Sequence, residues 1–431
     1  AMMSACLGQD LPDTGTTSFR PPFTPVPLGV LAGADRAGAH TPLRRTPFRR
    51  IEEQAGAVFV NLGHWQRAWY YPQKGEDLEA AYKREARDVR ASVGLCDVST
   101  LGKIAVQGPD SAEFLNRVYT NGWKTLPVGR VRYGLMLRED GIVMDDGTTA
   151  RLGAHDYLMT TTSGGAGKVM THLEYLLDTQ WPDLRVHVTS VTDQWAGLSL
   201  AGPNARALLA SVVDGCSVDA ASLPHMGIAH GRIAGAPVRI YRLSFSGELA
   251  YEVFVPAGFG EPVHAAIMAA GVQFKITRYG VESLGTLRIE KGHVAGGELD
   301  GRTTIRDLGL GAMASFKKGY IGSVMQRRPG LNDPARPSLV GLMPVDPAVA
   351  LSGGTLLYPQ GGAETGPGEG RVTSATWSPA LNRHIALGLL AHGPDRHGET
   401  VMAVSAVDGT RIATTVTSPH FFDPEGARQN A

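Results

Sequence analysis

The sequence contains few cysteines, no long apolar run and no excess of either charge. Its three cysteines, Cys6, Cys96 and Cys216, show neither metal-ligand spacing nor a CxxC pair, so we expect no disulfide framework, no metal site and a cytoplasmic location. No apolar run approaches the roughly 20 residues that a membrane span requires. The chain does not open on a basic region followed by an apolar core, and we therefore expect neither a membrane anchor nor an export signal.

The charged residues are balanced. There are 41 basic and 41 acidic residues, which give a formal net charge of zero. This balance provides no electrostatic attraction toward nucleic acid or an anionic membrane, so neither is expected as a partner. With 431 residues, the chain is long enough for two or three domains with their own cores.

The segment from Arg130 to Thr149, RVRYGLMLREDGIVMDDGTT, predicts a β-hairpin. Its first half alternates apolar and other residues, Asp140-Gly141 supplies a tight turn, and Ile142 begins the returning strand. The return strand ends in Asp145 and Asp146. Because side chains on a strand alternate between its faces, one acid should point inward and the other into solvent. Taken alone, the two acids also fit solvated turn residues.

A weak internal repeat organises the middle of the chain. VQGPDSAEFLNRV around Gly108 returns as LAGPNARALLASV around Gly202, and each predicts a strand that leads through Gly-Pro into a helix. Alternating strands also return after Gly231, with a turn at Ser246-Gly247 and an acid, Glu252, inside an apolar strand. Two related modules are implied, and such duplications often bind a ligand at the seam between their halves.

Composition divides the chain into three parts. Residues 1–46 are dense in Pro, Gly and Thr without helical period and predict an extended arm or linker. Residues 47–330 hold the two modules, at about 47–195 and 196–330. Residues 338–423 show short strands between Gly-rich turns and predict a small all-β barrel. The expected fold class is α+β with a ligand cavity between two hairpin-containing modules.

Two further segments carry predictions. SGGAGKV near Gly164 is similar to a phosphate-binding loop, but it lacks the leading glycine and has Val169 in place of a metal-binding hydroxyl, so we expect no nucleotide site. The charged segment DLEAAYKREARDVRASVG predicts an exposed helix that ends at Gly94.

Several motifs together resemble one protein family. RDVRASVGLCDVST, GPDSAEFL, YTN, DGIVMDD, FSGELAYEV, GTLRIEKG, KGYIGS and GRVTSATWSP occur in the order found in aminomethyltransferases, which have the folate-binding fold of the glycine cleavage T-protein. The resemblance covers about residues 47–423. Within this family, the arm and the following domain are similar to the C-terminal half of the alpha subunits of heterotetrameric sarcosine oxidases.

The resemblance implies roles for individual residues. It places the catalytic aspartate at Asp146, leaving Asp145 as the solvated acid, and the pterin-binding glutamate at Glu252, whose carboxylate could accept two parallel N–H bonds. Phe245 stands where some relatives have Tyr, which keeps an aromatic wall without a hydroxyl. Arg288 is a possible folate contact, although we favour a structural salt bridge with Glu290. Further ligand-lining positions are Tyr133, Thr160 and Leu101.

The implied reaction is tetrahydrofolate-dependent one-carbon transfer. An iminium formed by oxidation of an N-methyl amino acid such as sarcosine would give 5,10-methylenetetrahydrofolate, with Asp146 accepting a proton. Tetrahydrofolate is then the expected cofactor, with no flavin or NAD site in this chain and other sarcosine oxidase subunits as partners. The resemblance leaves two alternatives: a methyltransferase or demethylase of the same fold that uses an O- or S-methyl donor, and a non-catalytic folate-binding assembly protein. KKGYIGS, at Lys317–Ser323, lacks the cysteine of the iron–sulfur maintenance relatives and argues against the second.

Overall fold

The computed structural model describes Cys6, Gly8 and residues 43–315 and 317–431. The arm predicted for residues 1–46 therefore lies almost entirely outside the described residues. Residues 45–431 form one compact unit. The α-helices of the described chain are α1 Arg49–Gln54, α2 Leu78–Ala91, α3 Ser111–Val118, α4 Ala166–Tyr175, α5 Ala205–Val212, α6 Gly260–Gly271, α7 Val281–Lys291 and α8 Ala427–Asn430.

The β-strands of the same residues fall into an N-terminal group and a C-terminal group. The first group is β1 Arg44–Arg45, β2 Val58–Leu62, β3 Trp65–Tyr70, β4 Gly94–Asp97, β5 Gly102–Gln107, β6 Arg130–Leu137, β7 Val143–Gly153, β8 Asp156–Thr161, β9 His187–Ser190, β10 Trp195–Ala201, β11 Val213–Asp214, β12 Ile228–Ile233, β13 Ala236–Tyr241, β14 Ala250–Pro256 and β15 Thr277–Arg278. The second is β16 Pro337–Pro344, β17 Leu356–Pro359, β18 Gly370–Ser378, β19 Arg383–Ala391, β20 Thr400–Val404 and β21 Arg411–Thr417.

These strands form three sheets and a barrel. The N-terminal sheet has the order β1-β3-β2, a five-stranded sheet has the order β6-β7-β8-β5-β9, and a seven-stranded sheet has the order β11-β12-β13-β14-β10-β4-β15. The last six strands close into a barrel in the order β16-β19-β18-β17-β20-β21. This α+β architecture with a C-terminal barrel confirms the predicted fold class. In the described part of the chain, no helix combines the length and the apolar character needed to cross a membrane.

The repeated strand-to-helix turn has the same backbone conformation in both copies. Gly108 follows β5 with a φ of 131°, and Gly202 follows β10 with a φ of 133°. A Cβ atom at Gly108 would lie 2.1 Å from the carbonyl oxygen of Arg185, and one at Gly202 would lie 2.3 Å from that of Ser92. Both the left-handed conformation and the close approach therefore require glycine at this turn.

The five-stranded and seven-stranded sheets meet along a shared apolar cluster. Val131 and Ala150, from β6 and β7, pack with residues of the seven-stranded sheet in a cluster that includes Tyr241, Leu243 and Phe254. We call this contact the seam. Strand β4 pairs with β10 and so crosses the boundary predicted near residue 195. The two sheets, rather than two consecutive segments, are thus the units that face one another.

Helix α2 differs from its prediction as an exposed helix. It ends at Ala91, and the chain enters β4 at Gly94. The Glu85 carboxylate is buried and accepts hydrogen bonds from the backbone N–H groups of Tyr71 (2.7 Å) and Gly280 (2.9 Å). The charge pattern wrongly predicted an exposed helix, because the Glu85 carboxylate is hydrogen-bonded to backbone N–H groups and not to water. The residues buried on this helix are Ala81, Tyr82, Glu85, Ala86 and Val89.

Candidate functional site

The β6–β7 hairpin forms as predicted and directs Asp146 toward the seam. Leu135 pairs with Asp146 and Tyr133 pairs with Thr148 across the two strands. The Tyr133 hydroxyl donates a hydrogen bond of 2.8 Å to Oδ2 of Asp146. Burial raises the pKa of Asp146 to about 6, although the hydrogen bond from Tyr133 favours the ionised form. At neutral pH this carboxylate is therefore mostly ionised and able to accept a proton.

Asp145 is not the solvated acid that the sequence predicts. It is only 4% exposed, and its carboxylate accepts hydrogen bonds from the Thr162 hydroxyl (2.6 Å) and the Thr162 backbone N–H (3.2 Å). Asp145 and Asp146 do point to opposite faces of β7, but the loop before α4 covers the outer face. Burial, with a smaller contribution from the neighbouring Asp146 charge, raises the pKa of Asp145 to about 7.

The SGGAGKV segment packs against this second acid. A Cβ atom at Gly165 would lie 2.5 Å from Oδ1 of Asp145, so the absence of a side chain lets the loop reach the carboxylate. The Gly165 backbone N–H also donates to the Thr162 hydroxyl at 3.0 Å. Gly165 of the segment that resembles a phosphate loop thus allows the loop to pack against β7.

Glu252 lies in the middle of β14, between Tyr241 on β13 and Ser199 on β10. Its Oε2 atom is buried and has no hydrogen-bond partner among the described residues. Burial raises the pKa of Glu252 to about 7, and the charge of Lys103 acts in the opposite direction. A buried carboxylate oxygen without a donor is energetically costly, and a ligand that presents N–H groups would relieve that cost.

Leu101 and Thr160 lie on the five-stranded side of the seam. Thr160 pairs with Lys103 across β8 and β5, and its Oγ1 accepts a hydrogen bond of 3.0 Å from the backbone N–H of Thr148. Leu101 is partly buried, and its carbonyl oxygen accepts a hydrogen bond of 3.0 Å from Nζ of Lys103. Thr160 is therefore hydrogen-bonded to the strand that carries Asp146, while Leu101 is hydrogen-bonded to Lys103 on β5.

Lys103 was missed by the sequence interpretation. It is fully buried, although it stands in the apolar strand KIAV. A charged residue inside an apolar strand is the same signal that singled out Glu252, and it could have identified Lys103. Thr162 carries no comparable signal, because hydroxyl residues fill the whole segment TTTS.

Phe245 is 40% exposed and lies in the loop between β13 and β14. Its ring stacks on His293, with the ring centroids 5.9 Å apart, and its carbonyl oxygen lies 3.0 Å from Nδ1 of His293. Burial lowers the pKa of His293 to about 4, so this imidazole is neutral at physiological pH. An exposed aromatic ring backed by a neutral ring provides a flat apolar surface.

Arg288 makes a structural ion pair, but its partner is Glu298 and not Glu290. Its guanidinium donates to the Glu298 carboxylate at 2.8 Å and to the Ser374 hydroxyl of the barrel at 2.7 Å. Glu290 instead accepts from Arg90 at 2.7 Å. The predicted pairing was wrong because residues two positions apart on a helix do not face one another.

Two domain families match consecutive parts of this chain. The GCVT N-terminal domain family matches residues 48–318, and the glycine cleavage T-protein C-terminal barrel domain matches residues 338–423. The chain belongs to the glycine cleavage T-protein family. A crystal structure of the glycine cleavage system aminomethyltransferase T from Bartonella henselae has the same fold, with a TM-score of 0.76 and 24% identity over 89% of this chain and 99% of that one.

This T-protein family member is similar to curated sarcosine oxidase alpha subunits and to curated aminomethyltransferases. A sarcosine oxidase subunit alpha of Rhizobium meliloti (strain 1021) is 45% identical over 96% of this chain and 43% of the relative. An aminomethyltransferase of Halothermothrix orenii is 30% identical over 84% of this chain and 96% of the relative. Both names denote enzymes. The chain spans less than half the length of the sarcosine oxidase subunit that it matches.

Proposed function

We propose that the chain catalyses tetrahydrofolate-dependent one-carbon transfer, as the folate-binding part of a sarcosine oxidase alpha subunit. The observation that carries this proposal is the buried Oε2 atom of Glu252, for which the described part of the chain supplies no donor, at the same seam as Asp146. A pterin presents adjacent N–H groups that a carboxylate can accept in parallel, as it accepts those of a guanidinium. The residues present therefore fit the group that the family implies.

The binding surface would combine residues from both sheets. Glu252 would anchor the pterin edge, while Tyr133, Thr160 and Leu101 would line the cavity on the side of the five-stranded sheet. Phe245 would supply an apolar wall for the rest of the folate. Holding both reactants in one cavity lowers the entropic part of the barrier.

Asp146 would act as the base. Tetrahydrofolate supplies the nucleophilic nitrogens, and in the overall exchange its two N–H protons leave with the released amine as an ammonium ion. With its pKa raised to about 6, Asp146 is a stronger base than an ordinary aspartate and is still ionised at neutral pH. A positioned base of this kind contributes about 10²–10⁴-fold to the rate. Tyr133 would hold the carboxylate in place through its hydrogen bond.

The first test is calorimetric titration of the purified chain with tetrahydrofolate under anaerobic conditions. We expect binding by the unmodified chain, a loss of at least about a hundredfold in Glu252→Ala from the hydrogen bonds to a charged group, and nearly unchanged affinity in Asp146→Ala. Glu174→Ala, at an exposed acid, is the matched control. An unmodified chain that does not bind, or a Glu252→Ala variant that binds normally, would contradict the proposal.

The second test concerns the reaction. An amine oxidase without a folate domain would supply the iminium from sarcosine, and mass spectrometry would follow 5,10-methylenetetrahydrofolate. We expect the chain to accelerate product formation over the uncatalysed condensation, and Asp146→Asn to lower that acceleration by about 10²–10⁴-fold. The chain alone should not reduce a dye with sarcosine. Folate binding without any acceleration would favour a non-catalytic role.

A further inference from the structure

Lys103 is the buried cation of the seam. Its side chain is fully buried, and Nζ donates to the carbonyl oxygens of Ser99 at 2.7 Å and Leu101 at 3.0 Å, with that of Thr192 at 3.5 Å. An ammonium group has three N–H donors, and these carbonyl oxygens are acceptors for them. The lysine therefore ties the loop between β4 and β5 to the short connection that leads from β9 into β10.

The side chain of Lys103 faces the seven-stranded sheet. Lys103 pairs with Thr160 across β5 and β8, and its Nζ lies 6.0 Å from the ring centroid of Phe254. Phe254 lies two residues after Glu252 on β14, so the two side chains project from the same face of that strand. The Lys103 ammonium, from the five-stranded sheet, therefore lies against the face of β14 from which the Glu252 side chain projects.

Arg239 on β13 lies on the same face as Glu252, but its guanidinium stacks over the Trp195 ring, 4.1 Å from the ring centroid. Three other titratable groups near Glu252 in the described part of the chain carry no charge. Tyr241 is its neighbour on β13, Tyr279 precedes α7, and Cys96 lies on β4 beyond Ser199. Burial raises the pKa of both tyrosines and of the cysteine far above neutrality, so all three are uncharged. Desolvation therefore disfavours the Glu252 carboxylate, and the lysine charge is what opposes it.

We propose that Lys103 is a positioning residue that keeps Glu252 ionised for folate binding and fixes the Leu101 loop beside it. This inference rests on the proposed function, because an ionised Glu252 is needed only if it accepts the N–H groups of a ligand. Lys103 acts through Glu252 and through the backbone, and it is not placed against the reacting atoms.

The pH dependence of tetrahydrofolate affinity tests the electrostatic role. Removing the ammonium in Lys103→Met should raise the pKa of Glu252 by about one unit or more, which weakens binding about fivefold at pH 7 and much less at pH 9. A lysine that only anchored the backbone would weaken binding equally at both pH values. That equal loss, or no loss at pH 7, would overturn the inference.

Lys318→Met is the matched control. Lys318 is also desolvated, and its Nζ donates to the carbonyl oxygens of Asn116 and Tyr119 near the end of α3, outside the seam cluster. This variant should lose stability while the pH dependence of its folate affinity remains that of the unmodified chain. A pH dependence that shifts equally in both lysine variants would also contradict the proposal.

A double-mutant cycle needs no ligand and separates this inference from the proposed function. Lys103→Met should lower the thermal unfolding midpoint less when Glu252 is replaced by Gln, because the uncompensated buried carboxylate is then absent. Equal shifts in the two backgrounds, or failure of both Lys103→Met and Lys103→Met/Glu252→Gln to fold, would overturn the inference. Restored folding in the double variant would support it. Failure of the unmodified chain to bind folate would contradict the proposed function alone.

Discussion

At Asp146, burial and one hydrogen bond act on the same carboxylate in opposite directions. Burial disfavours the charged form and raises its pKa, while the Tyr133 hydroxyl stabilises the charge from 2.8 Å away. The balance leaves the pKa near 6, where the group is charged at neutral pH but remains a useful base. The basicity of Asp146 is thus raised by burial and moderated by a neighbour on the opposite strand of its own hairpin.

Removing the Tyr133 hydroxyl should therefore raise the pKa of Asp146. We expect Tyr133→Phe to raise the titration midpoint of Asp146 by on the order of one pH unit, because a hydrogen bond to the charged carboxylate is lost. Titration of ¹³C-labelled aspartate by NMR measures the shift. Tyr320→Phe, which removes a hydrogen bond to Gln326 instead, should leave the Asp146 midpoint in place. An unchanged midpoint in Tyr133→Phe would refute this account.

Asp145 should matter for stability instead of binding. Asp145→Ala removes the acceptor of the buried Thr162 backbone N–H. Because an unsatisfied buried donor is costly, we expect the free energy of unfolding to fall by about 1–3 kcal/mol. Urea denaturation followed by circular dichroism gives the value. Asp183→Ala, at an exposed acid, should change it by less than about 0.5 kcal/mol. Similar small losses in both variants would contradict the buried role.

Among the elements, strand β7 carries two glycines with different surroundings. A Cβ atom at Gly147, beside Asp146, would lie 2.0 Å from the carbonyl oxygen of Thr160 on β8. A Cβ atom at Gly153, near the end of the same strand, would meet its nearest neighbour at 3.6 Å, an ordinary contact distance. The close approach at Gly147 brings the backbone of β8 against the strand that presents Asp146.

The two glycines provide a paired test of the hairpin. Gly147→Ala should push β7 and β8 apart, cost about 1–3 kcal/mol of stability and weaken tetrahydrofolate binding, since Tyr133, Asp146 and Thr160 lose their spacing. Gly153→Ala should leave both properties nearly unchanged. Chemical denaturation and calorimetry measure them. Equal behaviour of the two variants would show that the tight contact at Gly147 does not shape the site.

The elements that carry Asp146 and Glu252 can be predicted from the sequence because alternating apolar residues and turn signals mark each strand. What covers the two faces of a strand cannot be predicted this way. Asp145 was expected in solvent because alternation assigns it to the other face, yet the loop at Thr162 covers that face. A lysine inside an apolar strand is visible in the sequence, but its approach to Thr192 and to Phe254 of the other sheet cannot be predicted from the strand pattern.

For the whole molecule, buried acids shift the pH dependence of stability. Four buried carboxyl groups have pKa values raised to between about 6 and 8 in the folded state, so folding binds protons between their unfolded and folded pKa values. Their stabilising contribution is complete at low pH and is lost as pH rises through the folded values. These groups are Glu52 at about 8, Asp145 at about 7, Asp146 at about 6 and Glu252 at about 7.

The window in which this loss is visible is set by other groups. Burial lowers the pKa of His264 and His293 to about 4, and this acts in the opposite direction below about pH 6.5. Burial also lowers the pKa of Lys318 to about 8, which opposes the loss at higher pH. The carboxyl groups should therefore dominate between about pH 6.5 and 8.

We expect the thermal midpoint of the unliganded protein to fall as pH rises across this window. Differential scanning calorimetry at low ionic strength measures it. Glu52→Gln should flatten the slope at its upper end, because burial gives Glu52 the highest of the four carboxyl pKa values. A midpoint that rises between pH 6.5 and 8 would contradict the assignment of raised pKa values to these acids.

Strand β4 pairs with two strands that lie much later in the sequence, which has a consequence for folding during synthesis. β4 pairs with β10 through Leu95 and Leu200, and with β15 through Leu95 and Arg278. During synthesis, β4 leaves the ribosome long before either neighbour, so one of its edges stays open until β10 has emerged and the other until residue 278 has emerged. The seven-stranded sheet is thus completed late, and the seam with its paired charges can close only after Glu252 and Phe254 on β14 have been translated.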